Sequence, residues 1–213
     1  MSAPVFDPKR AVYTPPEVST YGLSAIRSIK ERSRRALALG IGKVDDYFAP
    51  LLPGELAAVI AQTSNYKSGF LHCIEKHAAQ QIQREKRNEI LIHVSVEESI
   101  EQQAFYMLAR EAGENAGRLA RGDVLDWNKL NSAATFVGTV PIYRIGESLA
   151  RAEDFPYLSI SNMIRAIRTI SDGKVTNEKR PIAGLFFDYL QAFPIDNETA
   201  NKSKLETQRR LQV

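Results

Sequence analysis

The chain has 213 residues, 44% of them hydrophobic and 25% charged, which is ordinary globular usage and excludes a disordered or low-complexity protein. A net charge of +3 permits a nucleic-acid partner without arguing for one. No apolar run approaches the roughly 20 residues needed to cross a bilayer, and Met-Ser-Ala-Pro-Val at the start is no signal pattern, so the expected location is cytoplasmic, with no membrane partner.

Residues 1 to 20 carry Pro4, Pro8, Pro15 and Pro16 and little apolar periodicity, which predicts an extended arm. From Ser24 to about Leu39 the pattern turns helical, with Leu23, Ile26 and Ile29 at spacing three. Arg27, Lys30, Arg32, Arg34 and Arg35 read as a solvated basic face of that helix. Gly40-Ile-Gly42 stops it, and Val44-Asp-Asp-Tyr-Phe begins a short turn of structure before Pro53-Gly54. A first strand is expected at Leu56 to Ala61, then a helix from Lys67 with Phe70, Leu71, Ile74, Ala78 and Ile82 on its apolar face. Cys73 has no partner cysteine, which argues against a disulfide framework and a metal cluster, and it reads as a small buried or half-buried core residue. The second strand is Ile90 to Ser95, followed by a helix with Ile100, Ala104, Met107 and Leu108 on one side. Residues 113 to 139 suggest a short helix and a loop. A third strand follows at Ile142 to Ile145, with a helix using Ile160, Met163, Ile164 and Ile167. The fourth strand is Ile182 to Phe187, with Asp188 at its carboxyl end. Continuous apolar strands separated by helices predict an α/β fold, a mainly parallel sheet with helices on both faces.

Ligands of such sheets bind at the carboxyl ends of the strands. Leu56 to Ser68, L-A-A-V-I-A-Q-T-S-N-Y-K-S, read against G-x-x-x-x-G-K-[ST], is a degenerate P-loop, with Ala61 and Tyr66 in the places of the glycines and Lys67-Ser68 retained. The candidate phosphate cradle is Ala61, Gln62, Thr63, Ser64, Asn65, Tyr66, Lys67 and Ser68. A loop of N–H groups opening a helix can hold phosphate, Lys67 would neutralise the β and γ oxygens, and Ser68 would ligate magnesium. Asp188 would hold the ion's water shell, and a glutamate at the next strand end could orient the attacking water. The chemistry of that set is hydrolysis of a nucleoside triphosphate. Structural readings stand beside it: Asp188 could cap a turn, and Glu97-Glu98 could sit at a helix N-terminus because the dipole favours acid there. His72, His77 and His93 have no ligand-like spacing and read as surface or core residues. Trp127 and Phe186-Phe187 read as packing, Arg165 and Arg168 as solvated charge, and Gln191 as bonded within its own turn.

The chain resembles the RecA-like ATPase domain of hexameric replicative DNA helicases of the DnaB type. The resemblance rests on Gly40-Ile-Gly-Lys-Val-Asp-Asp-Tyr-Phe, Leu52-Pro-Gly-Glu-Leu, the degenerate P-loop, Val94-Ser-Val-Glu97, Leu158-Ser-Ile-Ser-Asn-Met-Ile-Arg165 and Asp188-Tyr-Leu-Gln191, in the family's order over residues 40 to 213. It implies a RecA-like P-loop NTPase fold, with an N-terminal arm and linker helix in residues 1–39 and the N-terminal portion of an ATPase core in 40–213. It implies ATP and Mg2+ as cofactors, Lys67 and Glu97 as catalytic residues, Ser68 and Asp188 at the metal, Gln191 in contact with a phosphate-linked water or DNA-bearing loop, single-stranded DNA as a partner, and a homo-oligomeric ring whose linker helix packs on a neighbouring subunit. The function implied is that of an ATP-dependent DNA helicase motor in replication. A catalytically silent RecA-like assembly module, or a recombinase or clock-type relative, remains open. Tyr66 departs from the family's glycine and puts a ring where phosphate would lie. The family's DNA-facing loops and arginine finger would fall beyond Val213, so the chain reads as a fragment or a half-domain.

Overall fold

The computed structural model describes residues 12–62, 66–95, 98–123, 126–146 and 159–188. The chain divides into two compact units, Met1–Ala58 and Val59–Val213.

In the first unit, helix α1 spans Pro15–Ser33. Both the N–H and the hydroxyl of Thr14 donate to Glu17 Oε2 at 2.7 Å, as in a capping box. The helix thus begins well before Ser24 and stops short of Leu39. Pro15 and Pro16, which suggested an extended arm, occupy the first turn, where a missing N–H breaks no helical bond. No residue of α1 is buried, and Val18, Tyr21, Ile26 and Ile29 are exposed. Further on, Leu37 and Leu51 form an isolated antiparallel bridge. The Arg32 guanidinium donates twice to the Pro53 carbonyl, at 2.6 and 3.0 Å. Asp45 opens the short helix α2 (Gly42–Tyr47) by accepting from the Leu39 and Ile41 amides at 3.0 and 2.8 Å.

The second unit is built on β1 (Ile90–Ser95), buried along its whole length. It is flanked by β2 (Ile142–Ile145) and β3 (Ile182–Asp188), all parallel, in the order β2-β1-β3. These three strands lie where the sequence predicts them, with Asp188 now the last strand residue. The strand expected at Leu56 to Ala61 is not formed: the segment pairs with no described residue, and Leu56 and Ile60 are 91% and 92% exposed. Leu-Ala-Ala-Val-Ile-Ala carries three alanines, poor strand formers with little surface to bury. Without a ladder partner, nothing offsets the entropy of extending it.

Side chains alternate across a strand, so β1 serves two packing layers. Ile90, Ile92 and Val94 cluster with Ile145 of β2 and with Met163 and Ile170 of helix α7 (Ile160–Ser171). Leu91, His93 and Ser95 face the other way, toward helix α3 (Lys67–Arg84), which buries Ile74, Ala78, Ala79 and Ile82. Cys73, expected in or near the core, is exposed on α3. After α4 (Ile100–Glu111), residues 113 to 139 hold two helices, α5 (Ala116–Ala120) and α6 (Trp127–Val137), rather than one and a loop. Their starts are set by side-chain caps: Asn115 accepts from the Arg118 amide, and Asp126 from those of Asn128 and Lys129. Among the described residues no helix is long and apolar enough to cross a membrane.

Candidate functional site

Parallel register sets Ser95 of β1 beside Asp188 of β3, both at the carboxyl end of the sheet and on the face that α3 covers. Helix α3 starts there with Lys67, whose Nζ lies 4.0 Å from Asp188 Oδ1. Asp188 is 2% exposed. Its Oδ1 accepts no hydrogen bond, so capping a turn does not account for that oxygen. A buried carboxylate oxygen without a donor is costly. Such a group is a candidate for a role with a ligand.

The residue before Lys67 sharpens this picture. Tyr66 sits at the N-cap of α3 with φ 54° and ψ 25°, the left-handed conformation that glycine adopts at least cost. The tyrosine therefore holds a backbone shape that glycine more often supplies. Its ring, expected to lie in the loop, is 88% exposed. Helix α3 has no side-chain cap and no acid in its first turn. Its leading amides are among the four at any helix start that lack an intrahelical acceptor, and they carry the positive end of the helix dipole. Ser68, second in the helix, is half-buried. Ala61 and Gln62 are exposed. Thr63, Ser64, Asn65, Glu97 and Gln191 lie outside the described residues. At the end of β1 the Glu98 amide donates to Ser95 Oγ at 3.3 Å, and the Glu98 carbonyl accepts from Gln103 Nε2 at 2.9 Å.

A second polar constellation lies deeper under α3, and sequence reasoning missed it. His72, Glu75 and His93 are buried together. His72 Nδ1 is 3.0 Å and His93 Nδ1 3.4 Å from Glu75 Oε2, and the two imidazoles stack with centroids 5.0 Å apart. One Arg144 nitrogen lies 3.0 Å from both Glu75 oxygens, while another donates to Gln103 Oε1 at 3.0 Å. Burial alone would push the Glu75 carboxyl up. The His72 hydrogen bond, the adjoining His93 and the Arg144 charge outweigh it and hold the carboxyl well below its usual range. His72 and Glu75, three apart on the buried face of α3, and His93 inside an otherwise apolar strand were the available signals. The expectation that these histidines have no ligand-like arrangement was drawn from linear spacing, which does not measure distance between a helix and a strand.

No family model matches the sequence, and no curated protein matches it. Among solved structures the chain is similar to one described as the ATPase domain of G40P, at 20% identity and a TM-score of 0.46, over 71% of this chain and 52% of that chain. The chain thus spans about half the length of that structure.

Proposed function

We propose that residues 40–213 form the nucleotide-binding portion of a RecA-like P-loop ATPase of the DnaB helicase type, acting as a DNA motor subunit in replication. The observation that carries this reading is Lys67 at the start of α3 facing the orphaned Oδ1 of Asp188 at the end of β3. In this reading residues 61 to 68 cradle the phosphates of ATP, with the α3 amides and Lys67 meeting their charge. Ser68 and Asp188 serve Mg2+. Glu97 orients the attacking water, single-stranded DNA is the track, and residues 1–39 act as arm and linker in a ring of like subunits. The donor set fits the ion: a hydroxyl and a carboxylate are hard oxygen ligands of the kind magnesium takes alongside phosphate and water. Bound MgATP would supply the phosphoryl group and the local positive charge, while this chain's residues position and neutralise.

A silent assembly module is the second reading. The unformed strand at Leu56 to Ala61 favours it, because the leading half of the loop then lacks a rigid support. Calorimetric titration with ATP, with and without Mg2+, separates the two. We expect saturable magnesium-dependent binding that Lys67→Ala weakens about ten- to a hundredfold, the worth of a charge-assisted hydrogen bond of ~1.5–3 kcal/mol. Absence of binding in the folded wild-type chain would leave the assembly module standing.

A further inference from the structure

We propose that His72, Glu75 and His93 form a binding site for one divalent transition-metal ion of the zinc class, under α3 and against the central strand. The donors are two imidazole nitrogens and one carboxylate oxygen, the set that zinc and its neighbours accept. With metal bonds of about 2.0–2.1 Å, ligand atoms around a tetrahedral ion stand about 3.3–3.4 Å apart. Glu75 Oε2 lies 3.0 Å from His72 Nδ1 and 3.4 Å from His93 Nδ1, and the three donor atoms all fall within 4.8 Å of one another. All three residues are buried on regular elements, His72 and Glu75 on one face of α3 and His93 in the middle of β1.

An independent observation points at an occupant. His93 Nδ1 is fully buried, turned toward the carboxylate and without a hydrogen-bond partner. The imidazole planes lie within 16° of parallel, so the two in-plane lone pairs do not meet at one point as the rings stand. One ring must turn on binding, and His93 is the one with no Nδ1 hydrogen bond to surrender. Arg144 plays two parts. It ties up the Glu75 carboxylate in an ion pair that an incoming metal must share, and Gln103 in turn accepts from it. Its charge also repels a dication, since Glu75 and Arg144 already balance and the ion would add uncompensated positive charge. The site therefore binds more weakly than a closed structural zinc centre, and removing the guanidinium strengthens it.

The test uses the full chain, free of affinity tags and stripped with chelator, near neutral pH. Zinc is titrated by calorimetry and by its effect on Tm, and Co2+ by its electronic absorption. We expect one equivalent of zinc, tetrahedral cobalt bands, and at least a tenfold loss of affinity in His93→Phe and in His72→Leu. His77→Ala, a half-buried histidine on the same helix, leaves binding unchanged. Arg144→Gln keeps all three donors and leaves Glu75 without its cation, so zinc should bind about tenfold tighter and raise Tm more than in the wild type. This variant decides the matter if His93→Phe or His72→Leu does not fold. No saturable zinc binding, binding untouched by the folded histidine variants, or no gain in Arg144→Gln would each overturn the site.

Discussion

The Lys67 ammonium stands 4.0 Å from Asp188 Oδ1, too far for a hydrogen bond and near enough for each charge to feel the other. Asp188→Asn removes a buried charge, one oxygen of which lacks a donor, and leaves a Lys67 exposed enough to be solvated, so we expect stability to change by no more than about 1 kcal/mol in either direction. If the proposed nucleotide site is correct, the magnesium dependence of ATP binding should vanish in the same variant. Urea unfolding with and without MgATP measures both; a loss above about 2 kcal/mol with binding intact would make Asp188 structural.

Tyr66 holds a backbone conformation that costs a side-chain-bearing residue about 1–2 kcal/mol. Glycine relieves it but gives back about 0.5–1 kcal/mol in unfolded-state entropy. Tyr66→Gly should therefore stabilise by about 0.5–1 kcal/mol, and Tyr66→Val, branched at Cβ, should destabilise. Midpoints of thermal unfolding compared across the three proteins decide it, and equal midpoints would mean the left-handed turn is absent in solution.

Glu75 makes the molecule sensitive to acid. Its carboxyl in the folded chain titrates below its ordinary 4.5, so the unfolded chain takes up the proton first as pH falls. The stability it contributes is complete above about pH 4.5 and drains away below it as the folded-state value is approached. Glu75→Gln should flatten the stability profile in that acid window. At neutral pH the same change leaves the half-buried Arg144 with Gln103 but without its carboxylate and should cost about 1.5–3 kcal/mol. Urea midpoints across a pH series report both effects, and parallel profiles for the two proteins would remove Glu75 as the source.

Gly146 closes β2 where there is no room for a side chain. A Cβ there would stand 3.0 Å from the Ser95 carbonyl, 3.2 Å from Ile100 Cδ1 and 3.3 Å from Gln103 Nε2. Gly146→Ala should cost about 1–3 kcal/mol by overpacking, read as a lower Tm, with the end of β1 beside the candidate site displaced.

Ile90–Ser95 was legible because a strand buried along its whole length needs a mostly apolar sequence, and the flanking, half-buried Ile142–Ile145 and Ile182–Asp188 because each is a short apolar run set off from the helices. The start of α3 at Lys67 was legible too, from the helical spacing of Ile74, Ala78 and Ile82. Helix α1 was misread because Thr14-Pro-Pro-Glu17 was weighed by its prolines instead of as a cap. The first strand failed because an apolar run states a preference, while a ladder needs a neighbour. The approach of Lys67 to Asp188 depends on β3 pairing beside β1 under α3, a choice of strand order that local pattern does not encode. The left-handed turn at Tyr66 was hidden for a different reason: residue type there argues against the conformation found.

The strand order β2-β1-β3 also bears on how the chain acquires its shape. Ile92 pairs in register with Tyr143 on one side and Leu185 on the other, both far downstream of it. During synthesis the most apolar strand emerges first and waits with both edges open until its two neighbours have been made. Long-range parallel pairing of this kind folds slowly and leaves sticky intermediates. Yield should therefore depend on chaperone supply and on translation rate between Ser95 and Asp188 more than on the final stability of the sheet.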